Sequence, residues 1–145
     1  MMMRISTKGR YSLEALLYMT LLPGDEYSST RSIAENTGLS DGYLEQLFIP
    51  LRKAGIIKGV RGPLGGYIAG RAPDKITVGE ILRTVEGDLE LVDCLNVRVC
   101  PIKDSCTSRH TWSELYQEIN DCVDSITLAD LAEAYAAMDK TEYVI

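Results

Sequence analysis

Two helical segments joined by a glycine turn, with a hairpin directly after them, constrain the fold of this chain more than any other feature. Ser29 or Thr30, and then Ser40, are favourable N-caps for the two helices. Gly38 supplies the glycine expected in the tight turn between crossed helices. Residues 56–69 place two short apolar runs around a glycine-rich turn. The ordered set predicts a winged helix-turn-helix in a mainly α chain with a small β-hairpin.

Helical spacing of apolar residues predicts four more helices. They begin at Ser6 or Thr7, at Val78 after the N-cap Thr77, at Thr111 and at Thr127. Pro50 is expected at a kink, or at the first position of a separate turn over residues 51–54, because proline has no amide proton to donate within a helix. Residues 88–110 are predicted to be mostly loop, and residues 139–145 to be frayed.

These elements predict two parts with different roles. Residues 1–75 form a winged helix-turn-helix DNA-binding domain, and residues 76–145 form a helical region with a cysteine-rich loop at 88–110. A dimerisation helix is predicted at 111–126, because its apolar stripe has no obvious partner within a small domain. The stripe consists of Trp112, Leu115, Tyr116, Ile119, Val123 and Ile126.

Charge is distributed unevenly between the two parts. Residues 1–75 carry 10 Lys and Arg against 7 Asp and Glu, whereas residues 76–145 carry 5 against 14, which together give the net charge of −6. A basic first part suits nucleic acid despite the acidic total. No apolar run approaches the length of a membrane span, and the N-terminus lacks a secretory signal, so a cytoplasmic protein without membrane contact is expected.

The second helix of a helix-turn-helix pair lies in the major groove, where its first residues meet base edges. Gln46 suits adenine, and Ser40 suits a phosphate or a base. Glu45 can accept from cytosine N4, although phosphates repel it. Arg61 precedes the glycine-rich tip and is placed to enter a minor groove. The predicted DNA-binding residues are Arg4, Lys8, Arg10, Ser40, Tyr43, Glu45, Gln46, Arg52, Lys58 and Arg61.

Cys94, Cys100 and Cys106 recur at six-residue intervals in a polar stretch. In a reducing compartment such a set is more often a metal site or a redox group than a pair of disulfides. Three thiolates suit an iron–sulfur cluster or zinc by their softness, and a metal-free thiol switch also stays open. Cys122 lies in the helical stripe and is expected to be a packed thiol rather than a ligand.

Several stretches carry a family resemblance. The segments YLEQLF (43–48), LRKAG (51–55) and VRGPLGGY (60–67) resemble the IscR/NsrR family of bacterial regulators, the Rrf-two family. The opening RISTKGRY (4–11) and the later ITLADL (126–131) are also similar, so the resemblance covers nearly the whole chain. It implies a homodimeric winged-helix transcription factor on double-stranded DNA with a two-fold-related operator. At promoters such a regulator competes with RNA polymerase or recruits it.

The resemblance also implies an iron–sulfur cluster, [2Fe–2S] or [4Fe–4S], that controls DNA binding and is absent from the apo form. Cys94, Cys100 and Cys106 match its cysteine ligands, and His110 is the candidate fourth ligand. In the iron–sulfur-assembly branch the histidine falls where this chain has Arg109. The other candidates for the fourth ligand are Asp93, Asp104, the partner subunit's Glu14 and an exogenous group.

Two further positions are compared within the resemblance. Glu45 resembles a residue that blocks some DNA sites in the cluster-free form. Gly42 replaces the serine of the iron–sulfur-assembly branch, so that branch's operator preference does not transfer.

An enzyme is not expected from this sequence. It has one histidine, no nucleophile beside a base and no phosphate-binding loop that opens a helix. Two alternatives remain within the winged-helix class. One is a cluster-free or zinc-bound regulator that senses through thiols or a partner protein. The other is a winged-helix module that binds protein instead of DNA.

Overall fold

The structure is a computed structural model that describes residues 5–23, 26–63, 65–89 and 108–142, with the side chains of residues 139–142 left aside. Within these residues the chain is mainly helical, with one antiparallel hairpin, as the sequence predicts. The elements are α1 (Thr7–Leu21), α2 (Thr30–Thr37), α3 (Asp41–Lys53), β1 (Ile57–Val60), β2 (Gly66–Ala69), a 3₁₀ turn (Pro73–Lys75), α4 (Val78–Glu86), α5 (Arg109–Asp124) and α6 (Leu128–Glu142).

Side-chain caps fix where the first four helices begin. The hydroxyls of Ser6, Ser29, Ser40 and Thr77 each accept a hydrogen bond from a backbone amide in the first turn of α1, α2, α3 and α4. Such caps satisfy amides that have no partner within the helix. Gly38 ends α2 in the left-handed region, at φ 78°, which a glycine adopts without strain. The predicted caps and the glycine turn of the helix-turn-helix are therefore confirmed.

The hairpin forms the wing and is fastened to the helix pair. β1 and β2 are antiparallel, with Ile57 opposite Ala69 and Val60 opposite Gly66. Ser28, just before α2, and Tyr67 of β2 exchange two backbone hydrogen bonds. The Ser28 amide donates to the Tyr67 carbonyl at 2.9 Å, and the Tyr67 amide donates to the Ser28 carbonyl at 2.7 Å. The Tyr67 ring also packs edge-on against Phe48 of α3, at a centroid distance of 4.9 Å. The wing is thereby held at a fixed place beside α3.

One apolar core joins helices from both predicted parts. It includes Leu16 of α1, Ile33 of α2 and Leu44 of α3, together with Ile81 of α4 and Leu128 of α6, each 0% exposed. Backbone hydrogen bonds also join the starts of α4 and α6, from the Val78 amide to the Ile126 carbonyl and from the Leu128 amide to the Ile76 carbonyl. The division at residue 75 remains a prediction about roles.

Three expectations differ from the observed elements. Helix α3 continues through Pro50 to Lys53, so the separate turn after Pro50 is wrong; the flanking residues Phe48 and Leu51 are buried in the core and hold the helix together. Helix α5 begins at Arg109 and ends at Asp124, instead of covering 111–126, and it therefore includes His110. Helix α6 extends to Glu142 rather than fraying from residue 139.

Within the described ranges, no helix is both long enough and apolar enough to cross a membrane.

Candidate nucleic-acid interface

Helix α3 presents a polar outer face with one apolar residue. Glu45 and Gln46 are exposed, and Arg52 lies about two turns further along the same helix. Ile49 lies between them and is 49% exposed. Ile49 was not among the predicted contacts, although its spacing of three from Gln46 and four from Glu45 could have placed it on this face. This side of α3 is exposed to solvent.

Two predicted contacts of α3 have structural roles as well. The Ser40 hydroxyl accepts from the Tyr43 amide at 3.4 Å as the N-cap of α3. The Tyr43 ring packs edge-on against Tyr11 of α1, at 5.7 Å between centroids, and its hydroxyl lies 3.2 Å from Thr7 Oγ1. Tyr43 is half-buried and joins α3 to the start of α1.

That junction brings together residues that are far apart in the sequence. A shallow depression of about 190 Å³ lies between α1, α3 and α4. Its lining residues are Lys8, Tyr43, Gln46, Leu47, Pro50 and Val85. Lys8 lines this depression beside Gln46 of α3, and both Lys8 and Arg10 of α1 are exposed. Arg4 lies outside the described residues.

The wing places its cations at its exposed edge. Lys58 on β1 and Arg61, directly after β1, are both exposed. The tip that follows is tightly folded, because a Cβ on Gly65 would lie 2.1 Å from the Val60 carbonyl oxygen and one on Gly66 would lie 2.5 Å from the Ser28 backbone. Glycine at both positions is thus a steric requirement of the wing that carries Arg61.

The basic residues predicted to bind DNA differ from other basic residues in whether they form ion pairs with acidic side chains. In the part of the chain that the structure describes, Arg31, Arg71 and Arg83 form ion pairs with acidic side chains. No ion pair within that part involves the predicted DNA-binding cations, which are Lys8, Arg10, Arg52, Lys58 and Arg61. An unpaired cation at the surface can bind a phosphate without first losing an internal partner.

The predicted metal site falls mostly on residues that are not described. Cys94, Cys100 and Cys106 all lie outside the described ranges, and within those ranges no group of His, Cys, Asp and Glu could hold a metal ion. His110 lies in the first turn of α5, is exposed, and approaches Glu114 with an Nε2–Oε1 distance of 3.2 Å. Cys122 is exposed rather than packed, because α5 turns other residues toward α4.

Helix α5 is fastened to α4 by a polar contact that the sequence did not predict. Arg83 of α4 donates to both carboxylate oxygens of Asp124, at 2.8 and 2.9 Å, and to Asn120 Oδ1 at 2.6 and 3.0 Å. The hydrogen bond with Asp124 is the main cause that raises the pKa of Arg83 above its usual value. Tyr116 donates to Asp88 at 2.6 Å. This bond joins Asp88, just after α4, to α5.

Comparison with known proteins agrees with this geometry. A family profile described as "Rrf2: Iron-dependent Transcriptional regulator" matches residues 5–134. The chain belongs to the Rrf2 family. The HTH-type transcriptional regulator CymR of Bacillus subtilis is 41% identical over 130 residues, which cover 90% of this chain and 90% of CymR. The HTH-type transcriptional regulator IscR of Erwinia tasmaniensis is 38% identical over 129 residues, covering 89% of this chain and 78% of that protein.

Solved structures give the same family. CymR (YrzC), described as the global cysteine regulator of B. subtilis, has a TM-score of 0.78 at 40% identity, covering 92% of this chain and 98% of that one. The oxidised form of Staphylococcus aureus CymR has a TM-score of 0.69 at 39% identity, covering 90% and 97%. These Rrf2 relatives are named as regulators and not as enzymes. The predicted winged-helix family, transcription regulation with DNA binding, and the exclusion of an enzyme are confirmed.

Proposed function

We propose that this Rrf2 regulator binds operator DNA with the outer face of α3 in the major groove, the wing beside it and the start of α1 on the phosphates. The observation that supports the proposal is the set of exposed cations around α3 that form no ion pair with any residue the structure describes. Gln46 and Arg61 read base edges or a groove, whereas Lys8, Arg10, Arg52 and Lys58 hold phosphates. Ser40 and Tyr43 mainly fix the position of α3.

Binding to promoter DNA at matched salt tests this assignment. Arg61→Ala is expected to weaken binding by about 1–3 kcal/mol if Arg61 reads a base edge. The matched control is Arg31→Ala, because Arg31 is an exposed arginine that pairs with Glu35 on α2. Equal affinities for wild type and Arg61→Ala would remove Arg61 from the interface. Equal losses for both variants would show that only the total charge matters.

We further propose that Cys94, Cys100 and Cys106 hold an iron–sulfur cluster that controls DNA binding. Cysteine thiolates are the usual ligands of iron–sulfur clusters, and the family profile is described as iron-dependent. His110 fits the role of fourth ligand poorly, because it lies in a formed helical turn, one residue after the histidine position of the iron–sulfur-assembly branch, and its Nε2 lies 3.2 Å from Glu114 Oε1. A helix turns by about 100° per residue, so a shift of one position redirects the side chain. The cluster supplies sensitivity to iron and to oxidants.

The second candidate is a regulator without a cluster that senses through its thiols. It is supported by the likeness to CymR, described as a global cysteine regulator, and to a CymR solved in an oxidised form. Such a regulator responds by oxidation of cysteine thiolates, without metal.

One preparation distinguishes the two candidates. A cluster predicts that protein purified without oxygen is coloured and contains iron and acid-labile sulfide. Cys94→Ala, Cys100→Ala and Cys106→Ala should each remove the colour, whereas Cys122→Ala, the matched cysteine control, should keep it. Colourless wild-type protein with stoichiometric zinc would contradict the cluster. DNA binding that follows thiol oxidants but ignores iron chelators would favour the second candidate.

We also infer a homodimer on a two-fold-related operator, in competition or contact with RNA polymerase. Helix α5 has no buried residue within one chain, and its apolar stripe is half-buried or exposed. A second copy would cover this stripe and place two recognition helices on successive turns of DNA.

A further inference from the structure

The carboxylate of Glu86, at the end of α4, holds the first turn of α1. Its Oε1 atom accepts from the Ser6 amide at 3.1 Å, from the Gly9 amide at 2.8 Å and from the Ser6 hydroxyl. The amides at a helix N-terminus have no partner within the helix and favour a negative group. Glu86 thus completes the N-cap of α1 from a helix about 80 residues later in the chain.

The close approach of α4 to α1 depends on a missing side chain. A Cβ on Gly9 would lie 2.9 Å from Leu82 Cδ2 and 3.0 Å from Glu86 Oε1. Glycine at this position therefore lets the carboxylate reach the backbone amide. Lys8 and Arg10 are the immediate neighbours of Gly9, so the contact fixes the backbone of both cations that the DNA proposal places on phosphates.

Helix α4 also connects this turn to the other half of the chain. Arg83, three residues before Glu86 and nearly one turn away, bonds Asn120 and Asp124 of α5. The chain leaves α4 at Gly87 and continues toward the cysteine segment. One short helix consequently carries a contact to α5 and a contact to the DNA-facing start of α1.

We propose that Glu86 is a positioning residue for DNA binding, which orients Lys8 and Arg10 toward the phosphate backbone through the first turn of α1. The inference rests on the proposed DNA interface. Through this positioning the Glu86 carboxylate strengthens binding to DNA. Its own negative charge, acting directly on the phosphates, would weaken that binding. Simple electrostatics predicts that neutralising an acid beside this surface tightens DNA binding.

The sign of the effect of Glu86→Gln tests the proposal in the full-length protein. Glu86→Gln is expected to weaken operator binding roughly tenfold and to reduce the slope of log K against log salt by about 0.9 for each phosphate that the protein no longer neutralises. Glu86→Ala, which removes the acceptor entirely, should weaken binding more. The matched control is Glu80→Gln on the same helix, since the Glu80 carboxylate pairs with Arg71 and not with α1. The control should bind as well as wild type or better.

A double-substitution comparison separates positioning from general loss of folding. In a Lys8→Ala, Arg10→Ala background, Glu86→Gln should have no further effect on affinity or salt slope. Tighter binding by Glu86→Gln, or an unchanged salt slope with only a lower melting temperature, would overturn the proposal. If Lys8→Ala and Arg10→Ala leave the slope of wild type unchanged, the DNA interface itself is wrong. If they lower the slope but Glu86→Gln does not, only the role of Glu86 is wrong.

Discussion

Two glycines inside helices occupy opposite environments, although the sequence presents them alike. A Cβ on Gly9 would meet Ile5 Cγ2 at 2.8 Å and two atoms of α4 nearby, whereas a Cβ on Gly42 would meet nothing within 4 Å. Glycine in a helix interior costs about 1 kcal/mol relative to alanine, and these two glycines, in the first turns of α1 and α3, cost up to that amount. At Gly9 the glycine permits the contact between α1 and α4, whereas at Gly42 no internal contact requires it.

The two glycines therefore give a matched pair of substitutions with opposite signs. Gly9→Ala is expected to destabilise the protein by about 1–3 kcal/mol, because the new methyl group forces α1 and α4 apart. Gly42→Ala is expected to stabilise it by up to about 1 kcal/mol through helix propensity alone. Denaturant unfolding followed by circular dichroism measures both. Equal effects of the two substitutions would contradict the packing described for Gly9.

At the scale of elements, helix α4 determines how α5 sits against the rest of the chain. The Arg83 guanidinium bonds Asn120 and Asp124, and Gly79 allows close approach, since a Cβ there would lie 2.1 Å from Asp124 Oδ1. The Arg83 and Asp124 side chains are 33% and 46% exposed, so solvent screens the ion pair. The two parallel hydrogen bonds from the Arg83 guanidinium to the Asp124 carboxylate, more than the attraction between their charges, fix the position of α5 against α4.

Removal of the Arg83 side chain is expected to loosen α5 without unfolding the core. Arg83→Ala should lower the free energy of unfolding by about 1 kcal/mol and increase amide exchange in α5 more than in α1 or α3. A double-substitution cycle with Asp124→Ala should give a coupling energy of about 0.5–1 kcal/mol. Uniform exchange across all helices, or purely additive effects of the two substitutions, would show that α5 is held by other contacts.

The elements were predictable from the sequence to the extent that local chemistry defines them. Ser6, Ser40 and Thr77 are short hydroxyl residues just before apolar periodicity, and each caps the helix predicted after it. Pro50 was misleading because local rules favour a break there, whereas burial of the neighbouring Phe48 and Leu51 preserves the helix. Local rules can describe a cap or a turn, but tertiary packing can override them.

The polar contacts between helices could not be predicted in the same way. Glu86 contacts residues about 80 positions earlier, and Arg83 contacts residues about 40 positions later. No periodicity or spacing relates such distant positions in a single sequence. The cations of the proposed interface were predictable as a group from charge and motif, but their lack of internal ion pairs within the described residues became visible only from the three-dimensional arrangement.

At the scale of the whole molecule, apolar surface remains on the helices after the cysteine segment. Leu115 of α5 is 40% exposed, and Tyr135 and Met138 of α6 are 49% and 69% exposed. Large apolar side chains that stay exposed in a single chain can be buried in a subunit interface. A second copy of the chain is the occupant that the two-fold operator proposal requires.

Substitution of this surface is expected to change the oligomeric state. A Leu115→Lys, Met138→Lys variant should sediment as a monomer at concentrations where wild type is dimeric, since a buried unpaired lysine is strongly unfavourable. Leu21→Lys is the matched control, because Leu21 is 41% exposed at the end of α1. Dimers in all three proteins would place the interface elsewhere, and monomeric wild type would contradict the homodimer.

The core shared by α1, α3, α4 and α6 limits where this chain can be cut to make a chimera with another regulator. Leu128 and Ile81 are fully buried in one core with residues of α1 and α3, so a cut after residue 75 would remove side chains from the centre of that core. A chimera that exchanges sensors should therefore keep α4 and the start of α6.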